Sequence, residues 1–362
     1  MKRNLSIMIK PSSSMCNMDC AYCFYRSIAE NRKDFSHGYM TKGALDTVIR
    51  SAFEYTDGGT LAITFQGGEP LLSGKEFFRS VNRAIGEYNV YNGSVMLSVQ
   101  TNGTLIDEEW CEILKDYLVG ISLDSGIKEF NALRVESGGD ATVDSVVKNI
   151  KLLSERGIEF NVLSVVTKDI ADNIDEVFCD FADRGIRYLQ FIPCLKPYVI
   201  NGDERGIYLS GEEYGEFLIK LFRSYYRYFM SGEYVSVRLF DNIVRLAAGR
   251  EPEQCGMSGR CSKQFVIESD GDVYPCDFYC SDDRRIGNIC ESSFEELEDS
   301  EAFKSFLKES LDISLKCAQC DIFRYCRGGG CKRERRDMDT CAAYKMFFEE
   351  CLPDIMTLVP YC

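Results

Sequence analysis

The chain has 362 residues, 18 cysteines, one histidine and a formal charge of −15. A single imidazole rules out a Cys₂His₂ zinc module or a three-histidine catalytic zinc, and the acidic balance argues against nucleic acid as the main partner. No stretch approaches the roughly 20 apolar residues that span a bilayer, and the first apolar run stops at Lys10 and Pro11, too short for a secretory leader. The expected setting is the cytoplasm, with no membrane partner, where clustered cysteines serve as metal ligands or catalytic groups more often than as disulfides.

Along residues 1–192, short apolar runs alternate with segments of helical spacing. The pattern predicts strands at 5–10, 61–65, 95–100, 119–123, 160–166 and 188–192, and helices at 41–55, 74–87, 107–117, 142–156 and 173–184. Six strands separated by helices imply parallel β/α units. Such units fit an open, partial (β/α)₆ TIM-like barrel with its chemistry at the C-terminal strand ends. Two helices follow, at 211–229 and 235–248. Beyond Cys255 the chain turns rich in cysteine, glycine and charge, with a hairpin at 264–268 and 272–274, an acidic helix at 293–308 and a terminal helix at 341–352. The expected domains are the barrel over 1–200, a helical connecting region over 201–254 and a cysteine-rich α+β domain over 255–362.

Cys16, Cys20 and Cys23 stand in Cys-x3-Cys-x2-Cys spacing just after the first strand. Three thiolates on one loop can bind three irons of a four-iron cube and leave the fourth open, since the next cysteine is Cys111. A redox Cys-x2-Cys pair is the competing reading, and it leaves Cys16 unused. Cys-x3-Cys-x-aromatic-Cys in this place resembles the signature of radical S-adenosylmethionine (SAM) enzymes. The resemblance implies that these cysteines hold a [4Fe–4S] cluster, that SAM chelates the open iron and that Tyr22 lies by the adenine. Gly67-Gly68-Glu69-Pro70, preceded by Gln66, follows the second strand and resembles the family's turn for the SAM amino group. Thr101 and Asn102 end the third strand, Ser122 and Asp124 the fourth, and Gln190 the sixth, with Leu195 beyond it. All resemble SAM contacts. The fourth-strand segment departs from the family's Asp-Gly-Pro, reading Asp124-Ser125-Gly126 with no histidine after it, and Arg134 follows as a further candidate.

Cys261-x9-Gly271-x4-Cys276, then Cys317-x2-Cys320-x5-Cys326, Cys331 and Cys341, resemble the SPASM domain, which carries two auxiliary [4Fe–4S] clusters. Within SPASM enzymes the pattern is similar to the anaerobic sulfatase-maturating enzymes, whose upstream ligand is matched by Cys255. By that resemblance Cys255, Cys261, Cys276 and Cys331 hold one cluster, and Cys317, Cys320, Cys326 and Cys341 the other, giving three clusters in all. Cys351 competes with Cys341, and the spacing from Cys326 to Cys331 is one glycine longer than the family's. Structural Cys₄ zinc is the alternative for this region. Asp277, beside Cys276, matches the family's general base. The implied reaction is radical oxidation of a Cys or Ser side chain in a sulfatase to Cα-formylglycine, with a ferredoxin or flavodoxin as electron donor, in an anaerobic bacterium. The basic run at 332–336 is a docking site for that donor or, equally, a neutraliser of cluster charge. A SPASM maturase that makes thioether or carbon–carbon crosslinks in a ribosomal peptide is the rival function.

Overall fold

The strand at Thr60–Phe65 buries Leu61, Ile63 and Phe65 completely and turns Thr60, Ala62 and Thr64 to its other face, the period-two pattern of a strand packed under helices. The computed structural model describes residues 2–197 and 206–362 and repeats this unit six times. In order come β1 (Leu5–Ile9), α1 (Phe24–Ala29), α2 (Lys42–Thr56), β2 (Thr60–Phe65), α3 (Lys75–Tyr88), β3 (Ser94–Thr101), α4 (Glu108–Ile113) and β4 (Tyr117–Ser122). Then follow α5 (Val143–Glu155), β5 (Phe160–Val166), α6 (Lys168–Asp172), α7 (Ile174–Asp183) and β6 (Tyr188–Pro193). These six strands pair in parallel in sequence order, as expected for a partial barrel.

The remaining elements are α8 (Gly211–Met230), β7 (Ser236–Val237), α9 (Arg238–Ala247), β8 (Phe265–Ile267), β9 (Asp272–Tyr274), β10 (Gly287–Asn288), α10 (Phe294–Asp299), α11 (Glu301–Glu309), α12 (Phe323–Cys326), α13 (Lys332–Asp337) and α14 (Thr340–Leu358). The expected boundary at residue 200 lies outside the described residues. Helices α8, α9 and α14 share one aromatic core, in which Phe347 packs on Phe222 and Phe240 at ring distances of 5.6 and 5.7 Å. The region at 206–254 is thus packed into the body of the molecule through the terminal helix.

Four predicted helices differ in extent, and that expected at 235–248 begins only at Arg238, because Ser236 and Val237 pair with β6. The helix expected at 107–117 stops at Ile113, because Tyr117 pairs with Leu97 and opens β4. The acidic helix at 293–308 is two helices. Ser300 sits between them in extended conformation, and its hydroxyl accepts from Phe303 N (3.3 Å) as an N-cap. The terminal helix starts at Thr340 and continues through Pro353 to Leu358.

The sheet does not end at the barrel. Strand β8 pairs in parallel with the free edge of β1, matching Ile7 with Phe265 and Ile9 with Ile267, and β9 and β10 extend it antiparallel. At the end of this seam Glu268, fully buried, accepts from both Lys10 and Arg32 (2.6 Å to Arg32), whose side chains are equally buried. Burial opposes the Glu268 charge, but Lys10 and Arg32 outweigh it and hold the carboxyl at about 2. Its folded value lies below the ordinary 4.5, so the stabilisation is full above that pH and fades as pH falls toward 2. Replacing Glu268 with Gln strands two buried cations and should cost about 3 kcal/mol at neutral pH. A thermal melt of the variant beside the parent, showing a lowered midpoint, checks this.

Candidate active site

The loop between β1 and α1 carries Cys16, Cys20 and Cys23, and its shape is set by the turn after β2. Gly67 adopts φ +122°, and a Cβ on Gly68 would lie 2.0 Å from the carbonyl oxygen of Met15. Only glycine allows this approach, which is locked by Gly68 N donating to Ser13 O (2.9 Å) and Glu69 N to Met15 O (2.8 Å). The three thiols open on one cavity of about 560 Å³ at the C-terminal ends of the strands. Burial pushes the Cys16 thiol up to about 12 despite the Met18 N–H that donates to it, and burial also raises Cys20 and Cys23. A thiol so disfavoured as a bare anion calls for a cationic partner. Among the described residues no three Cys, His, Asp or Glu side chains converge closely enough to hold a single metal ion. Three soft sulfurs on one wall, without an imidazole, fit an iron–sulfur cluster with an open iron.

Most of the predicted SAM contacts line this cavity: Tyr22, Gln66, Gly67, Gly68, Thr101, Asn102, Ser122, Arg134 and Leu195. Asn102 does more than line it. Its amide nitrogen reaches Asn17 Oδ1 (2.8 Å) and the Cys16 sulfur (3.9 Å), tying the β3 end to the cysteine loop. Tyr22, Asp124 and Arg134 form one buried network, with Tyr22 donating to Asp124 and Arg134 donating to the Tyr22 oxygen (3.1 Å). Burial opposes the Arg134 charge, yet Tyr22, Cys20 and Asp124 more than offset it.

Three predicted contacts lie elsewhere. Glu69 is fully buried behind the wall, where it accepts from Thr101 Oγ1 (2.7 Å), Asn102 N (2.7 Å) and Leu71 N (3.0 Å). Its burial outweighs these donors and raises it to about 7. It braces the turn rather than facing the cavity. Asp124, 1% exposed, likewise stands one layer back, accepting from Val165 N (3.0 Å). Gln190 belongs to a different cavity lower in the barrel.

The β8–β9 hairpin carries the chain into the turn Asp277–Tyr279, which lies against α1. Phe278 enters the cavity wall, 4.9 Å from the Phe24 ring. Tyr25 donates to Asp277 Oδ2 (3.2 Å), while the Cys276 sulfur lies 3.5 Å from Oδ1. Burial raises Asp277 against the pull of Cys276, Tyr25 and Lys10. The spacing pattern gave no sign of Tyr25, which reads as one more aromatic in the Phe24-Tyr25 pair, nor of Glu334, which reaches the same wall from α13.

The C-terminal thiols fall into two groups. Cys255, Cys261 and Cys331 surround one small void, and Cys276 feels the charge of Cys331. Cys317, Cys320, Cys326 and Cys341 line a separate cavity of about 1010 Å³. Cys351 lies in the hydrophobic core at 2% exposure, away from that set. The extra glycine after Cys326 is taken up by a left-handed run at Gly328, Gly329 and Gly330, with φ of +100°, +80° and +84°. The basic run is no free surface. Arg333 is buried on Asp337 and Lys196 O (2.6 Å), Lys332 pairs with Glu309, and Lys332, Arg335 and Arg336 line the larger thiol cavity.

The chain is similar to known proteins along nearly its whole length. The radical SAM superfamily profile matches residues 11–182, and the SPASM profile, an iron–sulfur cluster-binding domain, matches 255–321. A cysteine-type anaerobic sulfatase-maturating enzyme of Clostridium novyi is 39% identical over 358 residues, 96% of this chain and 95% of the relative. A serine-type anaerobic sulfatase-maturating enzyme of Bacteroides thetaiotaomicron is 27% identical over 378 residues, 96% of this chain and 90% of the relative. The solved structure of native anSMEcpe with bound AdoMet and Cp18Cys peptide superposes with a TM-score of 0.93 at 36% identity, covering 99% of each chain.

The Gly68 contact is testable. Gly68→Ala should push the 13–15 segment off the turn, so that the reconstituted variant binds fewer irons per chain while its far-ultraviolet dichroism is unchanged. Iron and sulfide assay against the parent reads the difference.

Proposed function

The chain belongs to the anaerobic sulfatase-maturating enzymes, radical SAM enzymes with a SPASM domain, and from that premise we propose how its own residues serve the reaction. The enzyme oxidises a side chain of a sulfatase to Cα-formylglycine. We assign Cys as the preferred target over Ser, on the 39% identity to a cysteine-type relative against 27% to a serine-type one. The observation that carries the chemical reading is that Cys16, Cys20, Cys23 and Tyr25 line one cavity and that Tyr25 donates to Asp277 (3.2 Å) from that wall.

Cys16, Cys20 and Cys23 would hold a [4Fe–4S] cluster with one iron left for SAM. Cys255, Cys261, Cys276 and Cys331 hold a second cluster, and Cys317, Cys320, Cys326 and Cys341 a third. When bound and reduced, the first cluster and SAM supply the radical that removes hydrogen from the substrate Cβ. Asp277 takes the proton from the substrate thiol. The Tyr25 hydroxyl, donating to Oδ2, fixes the carboxylate and leaves Oδ1 to receive that proton once Cys276 is a thiolate ligand. Phe24 and Phe278 pack together on the cavity wall and shelter the substrate radical; loss of its second electron, to one of the auxiliary clusters, would leave a thioaldehyde, which water hydrolyses to the aldehyde with release of hydrogen sulfide. Tyr22, Asp124 and Arg134 stiffen the SAM wall. A ferredoxin or flavodoxin delivers the electron, and Lys316, Arg335 and Lys345 around the outer thiol set supply positive charge toward an acidic carrier.

Asp277→Asn should lower formylglycine formation about 10²- to 10⁴-fold while 5′-deoxyadenosine is still released, as read by mass spectrometry of peptide and nucleoside together. Tyr25→Phe should cost less, because the carboxylate remains. For the third cluster, Cys341→Ser should lose iron after reconstitution and Cys351→Ser should keep it.

A further inference from the structure

Toward the N-terminal ends of the strands lies a second cavity, of about 590 Å³. The same strands build both. β4 lends Ser122 to the upper cavity and Leu118 to the lower; β5 lends Leu163 above and Asn161 below; β6 lends Ile192 above and Gln190 below. From Leu118 to Ser122 the strand climbs about 13 Å, the length of roughly four residues of extended peptide. The ground between is polar. Gln100 Nε2 donates to Ser122 Oγ (3.0 Å), and a Cβ on Gly120 would meet Gln100 Oε1 at 2.1 Å and Asn161 Oδ1 at 3.2 Å. A closed barrel fills this space with branched apolar side chains. Here amide and hydroxyl groups offer partners to a peptide backbone, whose N–H and C=O groups must be satisfied.

The lower cavity also holds an arginine whose only carboxylate interaction among the described residues is a longer-range one with Glu253. Arg238 Nη1 donates to Gln190 Oε1 (3.1 Å), and among the described residues no carboxylate forms an ion pair with it. Glu253 is held by Arg245 (3.1 Å), and Asp241 accepts from Ser236 and from the Tyr225 hydroxyl (3.1 Å). In a chain of charge −15 this is an unusual arrangement. Tyr188 and Tyr234, 53% and 56% exposed with rings 6.3 Å apart, stand at the mouth.

We propose that the lower cavity is a substrate subsite, in which Arg238 and Gln190 hold an oxygen acceptor of the polypeptide about four residues from the side chain being oxidised. The inference rests on the reading that the substrate is a sulfatase segment. It gives the barrel lumen a second task, reading the flank of the target as well as sheltering its reactive carbon.

The test uses the reconstituted holoenzyme, a peptide reaching about six residues to either side of a target Cys, and two shorter forms, each cut back on one flank. Arg238→Gln should raise KM for the long peptide about tenfold with kcat little changed. The effect should vanish for whichever short form lacks the flank that enters the lower cavity, and Arg238→Lys should recover part of it. Fluorescence anisotropy of labelled peptides reads binding apart from turnover. Binding that is indifferent to both the flank and Arg238 overturns the subsite, as does an equal loss on all three peptides. Flank-dependent binding without any aldehyde product instead overturns the functional reading and leaves the subsite standing.

Discussion

Strand β8 laid along the free edge of β1, with Glu268 gathering Lys10 and Arg32 at its end, is the joint on which the catalytic arrangement depends. It brings residues more than 250 positions apart in sequence to one level of one sheet. From there the chain turns through Cys276 and Asp277 directly over α1. Lys10 serves twice, since its ammonium also lies 5.2 Å from the ring centre of Tyr25, the residue that holds Asp277. Asp277, the Tyr25 phenol and the cysteine loop are thus referred to a single buried ion network. Such a network is costly to desolvate and gains most of its worth from geometry. Here that geometry fixes the cysteine-rich domain to the barrel within the span of a hydrogen bond.

The cysteine loop is placed by a different device, backbone against backbone. Gly67 and Gly68 leave room for the 13–15 segment, Glu69 braces the turn from beneath, and Asn102 reaches from β3 to Asn17 and the Cys16 sulfur. The ends of β2 and β3 therefore converge on the loop that follows β1. The three thiols face the cavity, Cys16 exposed and Cys20 and Cys23 half-buried, so iron that binds there ties the loop to the strand ends.

Much of this was legible in the sequence. The cysteine spacings and the alternation of strand and helix report local chemistry and local periodicity, and these survive folding. What could not be read was depth. Gln190 and Ile192 are two residues apart and share a face of β6, yet about 6.6 Å of strand rise puts one in the lower cavity and the other in the upper. Glu69 and Asp124 sit at the expected strand ends, but backbone N–H groups of the next strands, Asn102 and Val165, hold their carboxylates inward. Arg333 looks like surface charge in a basic run and is 2% exposed, because its partner Lys196 O lies 137 residues away in sequence. Tyr25 gained its place only through a partner 252 residues away. The 107–117 and 293–308 helices show the local limit: an apolar run shared by helix and strand is decided by its sheet neighbour, and a serine inside a charged helix starts a new one.

The β1–β8 seam also bears on how the chain is made. At about 5–20 residues per second, β1 emerges at once and gains β2 on one side within seconds. Its other edge waits until residue 265, roughly 13–50 s at that pace. Through that interval a flat row of unpaired backbone groups stands open at the margin of a nearly complete barrel, the kind of edge to which foreign strands add. Vectorial synthesis thus leaves the cysteine-rich hairpin as the barrel's last stave, so that loss of the C-terminal third would expose a self-association edge as well as remove cluster ligands.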